Sequence, residues 1–171
     1  KVFAHEQAPL GFAFDTAEAG GGEHIFLASD TSQVICRSSS GTFPNHKAVI
    51  PKGDMQKATV NRAALLEVVC EAGTCSNPFN KRIRFDFTQE FVKISAKSDL
   101  GQYEKSLPCQ STCTGAAGFN WTYLRDFLSV VSSAAITMQM QSSVVLSGPM
   151  LISVVEDGVC HKHVLMPMRI D

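Results

Sequence analysis

Asn61-Arg-Ala-Ala-Leu65-Leu-Glu67-Val-Val69 returns later in the chain, with Asn, Leu and the acid in step, as Asn120-Trp-Thr-Tyr-Leu124-Arg-Asp126-Phe-Leu128. Each copy opens on an Asn, whose short carboxamide can satisfy the first free N–H groups of a helix. Leu65, Leu66, Val69 and Ala72 then recur at helical spacing in the first copy, and Leu124, Phe127, Leu128 and Val131 in the second. Helices are predicted near residues 62–72 and 121–132, each with one apolar stripe to bury. A short β segment precedes each helix, at residues 57–60 and 116–119. Alternating strands follow, with Ile83, Phe85 and Phe87 in the first unit and Ile136, Met138 and Met140 in the second. Thr137, Gln139 and Gln141 supply the polar face of the latter. Strands at 91–96 and 102–111 complete the first unit, and strands at 150–155 and 162–170 the second. The fold class read from this pattern is α+β, a βαβββ unit written twice. Both helices lie on one face, because each stripe needs a sheet face to cover. A helix longer than two turns anywhere in residues 135–170 would break the repeat.

The flanks follow from that centre. Residues 1–41 read as strands without helices: 10–14 alternates around Phe12 and Phe14, and 24–28 and 33–37 continue across a turn at 30–32. The Gly20-Gly21-Gly22 run lacks the Lys-Ser/Thr pair and the helix of a phosphate cradle, so it reads as a hairpin loop. Three strands make no domain, and residues 1–41 read as the remnant of a preceding one. Residues 42–55, containing Pro44 and Pro51, read as an extended linker. Residues 56–171 form the C-terminal domain. The chain starts at Lys1 with no initiator Met and no signal pattern, which reads as a piece of a longer protein. At the far end, His163-Val-Leu-Met-Pro-Met-Arg-Ile170 is too apolar for a free tail and reads as a docked strand. Pro167 lacks an N–H and confines it to an edge. An edge strand beside an apolar surface makes a groove.

Composition narrows the function classes. The chain has 171 residues, 44% of them hydrophobic, enough for one domain with a core or one domain plus part of another. A net charge of −1 with 18% charged residues excludes a basic nucleic-acid tail, so any DNA contact comes from a local patch. The apolar runs at 144–146 and 150–155 fall far short of a membrane span, and the chain reads as soluble and cytoplasmic. Cys70-x4-Cys75 and Cys109-x3-Cys113, with His161 and His163, lack the paired CxxC spacing of a zinc site. With Cys36 and Cys160 they read as free thiols, and no metal or cofactor is expected. Cys160 beside His161 and His163 is the best candidate for catalysis. Adjacent strand residues point to opposite faces, however, so Cys160 and His161 are poorly placed to cooperate, and no enzyme is expected.

Thr42-Phe-Pro44 through Val49-Ile-Pro51, then Gly118-Phe-Asn120 with Tyr123-Leu124, then Val164-Leu-Met166-Pro-Met-Arg169, resemble in order and spacing the third domain of the bacterial DNA polymerase sliding clamp, the β subunit of the replicative polymerase. The resemblance is good over residues 42–171 and weaker over 1–41, which match the end of the second domain. It implies a processivity factor of three similar domains per protomer, paired head to tail as a homodimeric ring around duplex DNA. It also implies a groove in which polymerase, clamp loader and repair proteins dock short linear peptides in turn. The matching groove positions are Pro44, Val49, Asn120, Tyr123, Val164, Leu165, Met166, Pro167, Met168 and Arg169. His46 and Ala48 stand where the family usually carries an aromatic and a basic residue. The resemblance implies Arg62, Arg125 and, more weakly, Lys57 as the expected DNA-side cations, diluted by Glu67, Glu71 and Asp126. The edge that pairs protomers reads Gly73-Thr-Cys-Ser-Asn77 and Gln102-Tyr-Glu-Lys-Ser106, more polar than an apolar contact requires, so this chain alone is not expected to close a ring. The rival reading is a structural or oligomerisation fragment without DNA-tethering activity.

Overall fold

The computed structural model describes residues 9–15, 24–39, 41–141, 147–156 and 158–170. The glycine run at 20–22 and the apolar run at 144–146 lie outside them. The chain divides into two units, Lys1–Pro44 and Asn45–Asp171, and the division falls within the stretch read as a linker. In the first unit, β1 (Gly11–Asp15), β2 (His24–Ala28) and β3 (Gln33–Arg37) form an antiparallel sheet in that order. The Phe12 and Phe14 rings meet edge to face at 4.6 Å.

The second unit realises the repeat element by element. A short α1 (His46–Val49) leads into β4 (Gln56–Asn61), α2 (Arg62–Thr74), β5 (Arg82–Phe87), β6 (Phe91–Ser98) and β7 (Gly101–Ser111). Then come β8 (Gly115–Asn120), α3 (Trp121–Leu128), β9 (Ala135–Met140), β10 (Met150–Glu156) and β11 (Val159–Leu165). The sheet order is β11-β10-β9-β4-β7-β6-β5-β8, all neighbours antiparallel. The segment after β11 reaches β8 at the other end of that order, where Gly118 and Met168 form an isolated bridge and the Met168 N–H donates to the Gly118 carbonyl at 2.7 Å.

Alternation places Ile83, Phe85 and Phe87 of β5, Val92, Ile94 and Ala96 of β6, and Ile136, Met138 and Met140 of β9 on the core side, all buried. Leu65, Val68, Val69 and Ala72 of α2 and Leu124 and Leu128 of α3 cover them. Both helices start on the predicted Asn caps: the Asn61 side chain accepts from the Ala64 N–H at 2.9 Å and that of Asn120 from the Thr122 N–H at 3.0 Å.

The helices meet at both ends. Arg62, the first residue of α2, donates to the carbonyls of Leu128 (2.9 Å) and Ser133 (3.1 Å), placing a cation where α3 leaves carbonyls unpaired. At the other end the Trp121 ring of α3 lies on Gly73 of α2, so close that a Cβ there would stand 2.6 Å from it. Lys81 adopts a left-handed conformation (φ 54°), and its carbonyl accepts the Trp121 N–H at 3.0 Å.

Three expectations are corrected. The linker is not wholly extended, since residues 46–49 form one helical turn, closed by the Ala48 N–H on the Asn45 carbonyl (3.1 Å). The turn stops at Ile50, held at ψ 118° because the residue before Pro51 is pushed out of the helical region. The second helix ends at Leu128 rather than 132: Ser129-Val130-Val131-Ser132 are poor helix formers, and Val130 and Val131 both donate to the Phe127 carbonyl. The terminal strand stops at Leu165 rather than 170, because Pro167 cannot donate to a ladder and the chain turns off toward β8.

Gly73→Ala tests the helix contact. Alanine gains roughly 1 kcal/mol of helix propensity over glycine, yet its methyl would collide with the half-buried Trp121 ring, and overpacking of this kind costs about 1–3 kcal/mol. The expected outcome is a lower urea midpoint at unchanged slope, partly restored when Trp121→Leu is added.

Candidate functional site

The end of the β9-β10-β11 sheet builds the site by alternation. Met140, Met150 and Leu165 are buried, and Met150 pairs with Leu165. One residue beyond each, the side chain must point to the other face. Gln141, Pro149 and Met166 are those residues, and Met166 is 60% exposed. They line one side of a hollow of about 460 Å³, whose other side is Ala48, Val49, Ile50, Pro51 and Lys52 from α1 and the residues after it. Among the described residues of the lining, Lys52 supplies the cation and none is an acid. Exposed methionine and valine beside prolines make an adaptable apolar floor, and Gln141 offers an amide to a polar ligand atom.

Of the ten positions expected to form a peptide groove, Val49 and Met166 line this hollow together. Leu165 faces the core at 5% exposure, while Val164 is half-buried opposite Leu151. Pro167, Met168 and Arg169 belong to the segment crossing β8. A Cβ on Gly118 would stand 3.0 Å from the Met168 carbonyl oxygen, and Arg82 donates to the Arg169 carbonyl. The Asn120 carboxamide oxygen caps α3, accepting the Thr122 N–H and hydroxyl. Tyr123 is 57% exposed on α3, and Pro44 belongs to the first unit. Gln141, Pro149 and Lys52 were not singled out as groove residues from sequence, Gln141 having been read only as part of a strand's polar face. The alternation that buries Met150 already carried the signal for Pro149.

Two of the three expected DNA-side cations, Arg62 and Arg125, are engaged. Arg62 is spent on the α3 carbonyls. Arg125 pairs with Asp126 at 2.7 Å and lies 5.0 Å over the Trp121 ring. Lys105 of β7 reaches Glu67 and Glu71 of α2 at 3.4 Å each. The Tyr103 hydroxyl donates to Glu71 and holds its carboxyl below the usual carboxylate range. Lys57, on β4, is exposed.

His163 links β11 to α3. Its ring stacks on Phe127 of α3 at 4.7 Å, and its Nε2 is buried with no partner among the described residues. Burial holds its pKa below the ordinary 6.5. The unfolded chain therefore takes up the proton more readily than the folded one, and stability falls as pH drops through about 6.5 and below. His163→Phe should flatten that acid limb of a urea-midpoint profile between about pH 7 and 5 while leaving the midpoint near pH 8 little changed.

Residues 47–169 match the family model described as DNA polymerase III beta subunit, C-terminal domain. The beta sliding clamp of Pseudomonas putida is 26% identical over 153 residues, covering 88% of this chain and 40% of the relative. That of Rickettsia felis is 22% identical over 156 residues, covering 85% and 40%. Among solved structures, the DNA polymerase sliding clamp of Pseudomonas aeruginosa with ligand superimposes with a TM-score of 0.78 at 21% identity, over 98% of this chain and 43% of that one. A sliding clamp of Bartonella birtlesii bound to griselimycin gives 0.76 at 25% identity, over 93% and 41%. The chain thus spans about two fifths of the length of the curated relatives it matches.

Proposed function

The chain belongs to the family defined by the C-terminal domain of the DNA polymerase III beta subunit, and from that premise we propose that it is the peptide-docking part of a sliding clamp, a processivity factor of DNA replication in the bacterial cytoplasm. The observation that carries the reading is the hollow lined by both Val49 and Met166, because the α1 segment and the end of β11, far apart in sequence, are two of the three stretches that carry the family pattern. Residues 42–55 act as linker from a preceding clamp domain, of which 1–41 is the end. The occupant is an extended segment of a polymerase, clamp loader or repair protein, with apolar side chains in the hollow and polar atoms toward Gln141 and exposed backbone. The chain does no chemistry of its own. It holds an enzyme on DNA by tethering, as part of a homodimeric ring around the duplex.

Met166 and Val49 are exposed enough that charging either leaves the core intact. A short fluorescein-labelled peptide carrying a Gln and paired apolar residues is expected to bind with a Kd on the order of micromolar or weaker, apolar anchors supplying most of the energy. Met166→Asp or Val49→Asp should weaken it by about tenfold or more. Affinity unchanged in both variants would remove this reading.

A second reading, an oligomerisation module without DNA tethering, is favoured by one observation: Arg62, Arg125 and Lys105 are all tied to partners within the fold. With Arg62 and Arg125 so engaged, the described residues of the two helices offer phosphates no unengaged cation, and Lys57 of β4 is the expected DNA-side group that is left. Binding of a 30-base-pair duplex, followed by anisotropy against salt, should show a log–log slope shallower than about −2, the signature of one or two phosphate contacts. A slope of about −5 or steeper would show that these ion pairs open to DNA.

A further inference from the structure

The internal repeat extends to the groove. Phe87, Val92 and Leu107 form a buried row across β5, β6 and β7, as Met140, Met150 and Leu165 do across β9, β10 and β11. One residue beyond the first row stand Thr88, Phe91 and Pro108, in the place that Gln141, Pro149 and Met166 hold in the second. Phe91 pairs with Pro108 and is 41% exposed. A hollow lies on either side of it: one of about 340 Å³ reaching Leu107 and Pro108, and one of about 490 Å³ reaching Phe87 and Thr114. Thr114 leads into β8 as the α1 segment leads into β4.

We propose that these twin hollows are a second docking groove, related to the first by the internal repeat, for an extended peptide that carries an apolar anchor beside a Lys or Arg. The proposal takes the peptide-docking reading of the terminal groove as its template. Two features fit it for this ligand. The turn holding Phe91 is rigid: the Thr88 N–H and hydroxyl both donate to the Phe91 carbonyl, at 2.9 and 2.8 Å, and the Phe91 N–H donates back to the Thr88 hydroxyl oxygen at 3.1 Å. An aromatic ridge fixed in advance costs little ordering when a peptide is laid across it. The charge is also opposite to that of the terminal groove. Glu90 is exposed, is shared by both hollows and is the charged residue among the described ones of their lining, whereas the terminal groove carries Lys52. The two sites therefore sort peptides by flanking charge, one groove taking acidic flanks and the other basic ones.

The test is a pair of probes, acetyl-Leu-Ser-Leu-Arg-amide and its Glu-for-Arg counterpart, titrated into the ¹⁵N-labelled chain while backbone amide shifts are followed. The Arg peptide should move the amides of Glu90, Phe91, Leu107 and Thr114. Glu90→Lys should weaken that response by about fivefold or more and turn the preference toward the Glu peptide. Phe91→Ser should weaken both peptides there. Met166→Asp should abolish shifts around Val49 and leave those around Phe91 intact, so the two grooves fail separately. Silence at Phe91 up to millimolar peptide, or a Phe91 response of equal midpoint in wild type, Glu90→Lys and Phe91→Ser, would overturn the proposal.

Discussion

Trp121 lies on Gly73 with no space left for a methyl group, and the arrangement of the clamp unit depends on that contact. Each repeat alone has a helix covering one sheet face, but neither can close its own sheet. Bringing the start of α3 onto the end of α2 fixes the spacing of the helices, and Arg62, reaching the end of α3, fixes the opposite corner. The antiparallel sheet then has one way to continue from β4 into β7 and β9. Only glycine allows the aromatic ring to approach at 73, and only a long guanidinium spans from Arg62 to two carbonyls in different turns. Both residues lie within the repeat, yet neither is repeated. The asymmetry is what locks two similar halves together.

Much of the fold was legible in the sequence because two signals agreed: Asn caps gave the helix starts, and period-two apolar residues gave the strands. The misplaced boundaries share a physical cause. Local pattern does not say where a tertiary contact ends an element. Val131 continues the apolar stripe of α3 and is buried, but as part of a loop whose Ser132 and Ser133 N–H groups are gathered by Glu156 from β10. The terminal run of apolar residues looked like one strand, although Met166 marks where the ladder ends and the crossing to β8 begins. Four ordered residues at 46–49 are too few for any periodicity to announce.

The site was legible in part. Val49 and Met166 were marked by a resemblance and were brought together by the fold. Pro149 and Gln141 needed the strand register, which no single stretch of sequence carries, since it depends on which strands are neighbours. Asn120 shows the opposite limit: its residue type suits both a helix cap and a ligand contact, and the structure uses its oxygen for the cap. Arg62 and Arg125 show that a cation on a helix does not imply a freely presented charge, because carbonyls can hold its donors in place and a neighbouring acid can offset it. How much positive potential a face presents is a property of the pairing and not of the count.

The seam between β8 and the terminal segment has its own consequence. Around the rest of the sheet, neighbouring strands share ladders of several pairs, but here one bridge, Gly118 with Met168, joins the two ends of the strand order. A nearly closed sheet whose join, among the described residues, is this bridge with the Arg82 hydrogen bond to the Arg169 carbonyl has a built-in place to breathe: the terminal segment can lift while every other ladder stays zipped, an opening far smaller than global unfolding. Amide protons at Gly118 and Met168 then report this local event, while those of the β6 and β7 ladder report the whole unit. Met166, at the root of the segment, makes the groove floor part of the most readily loosened piece of an otherwise rigid body.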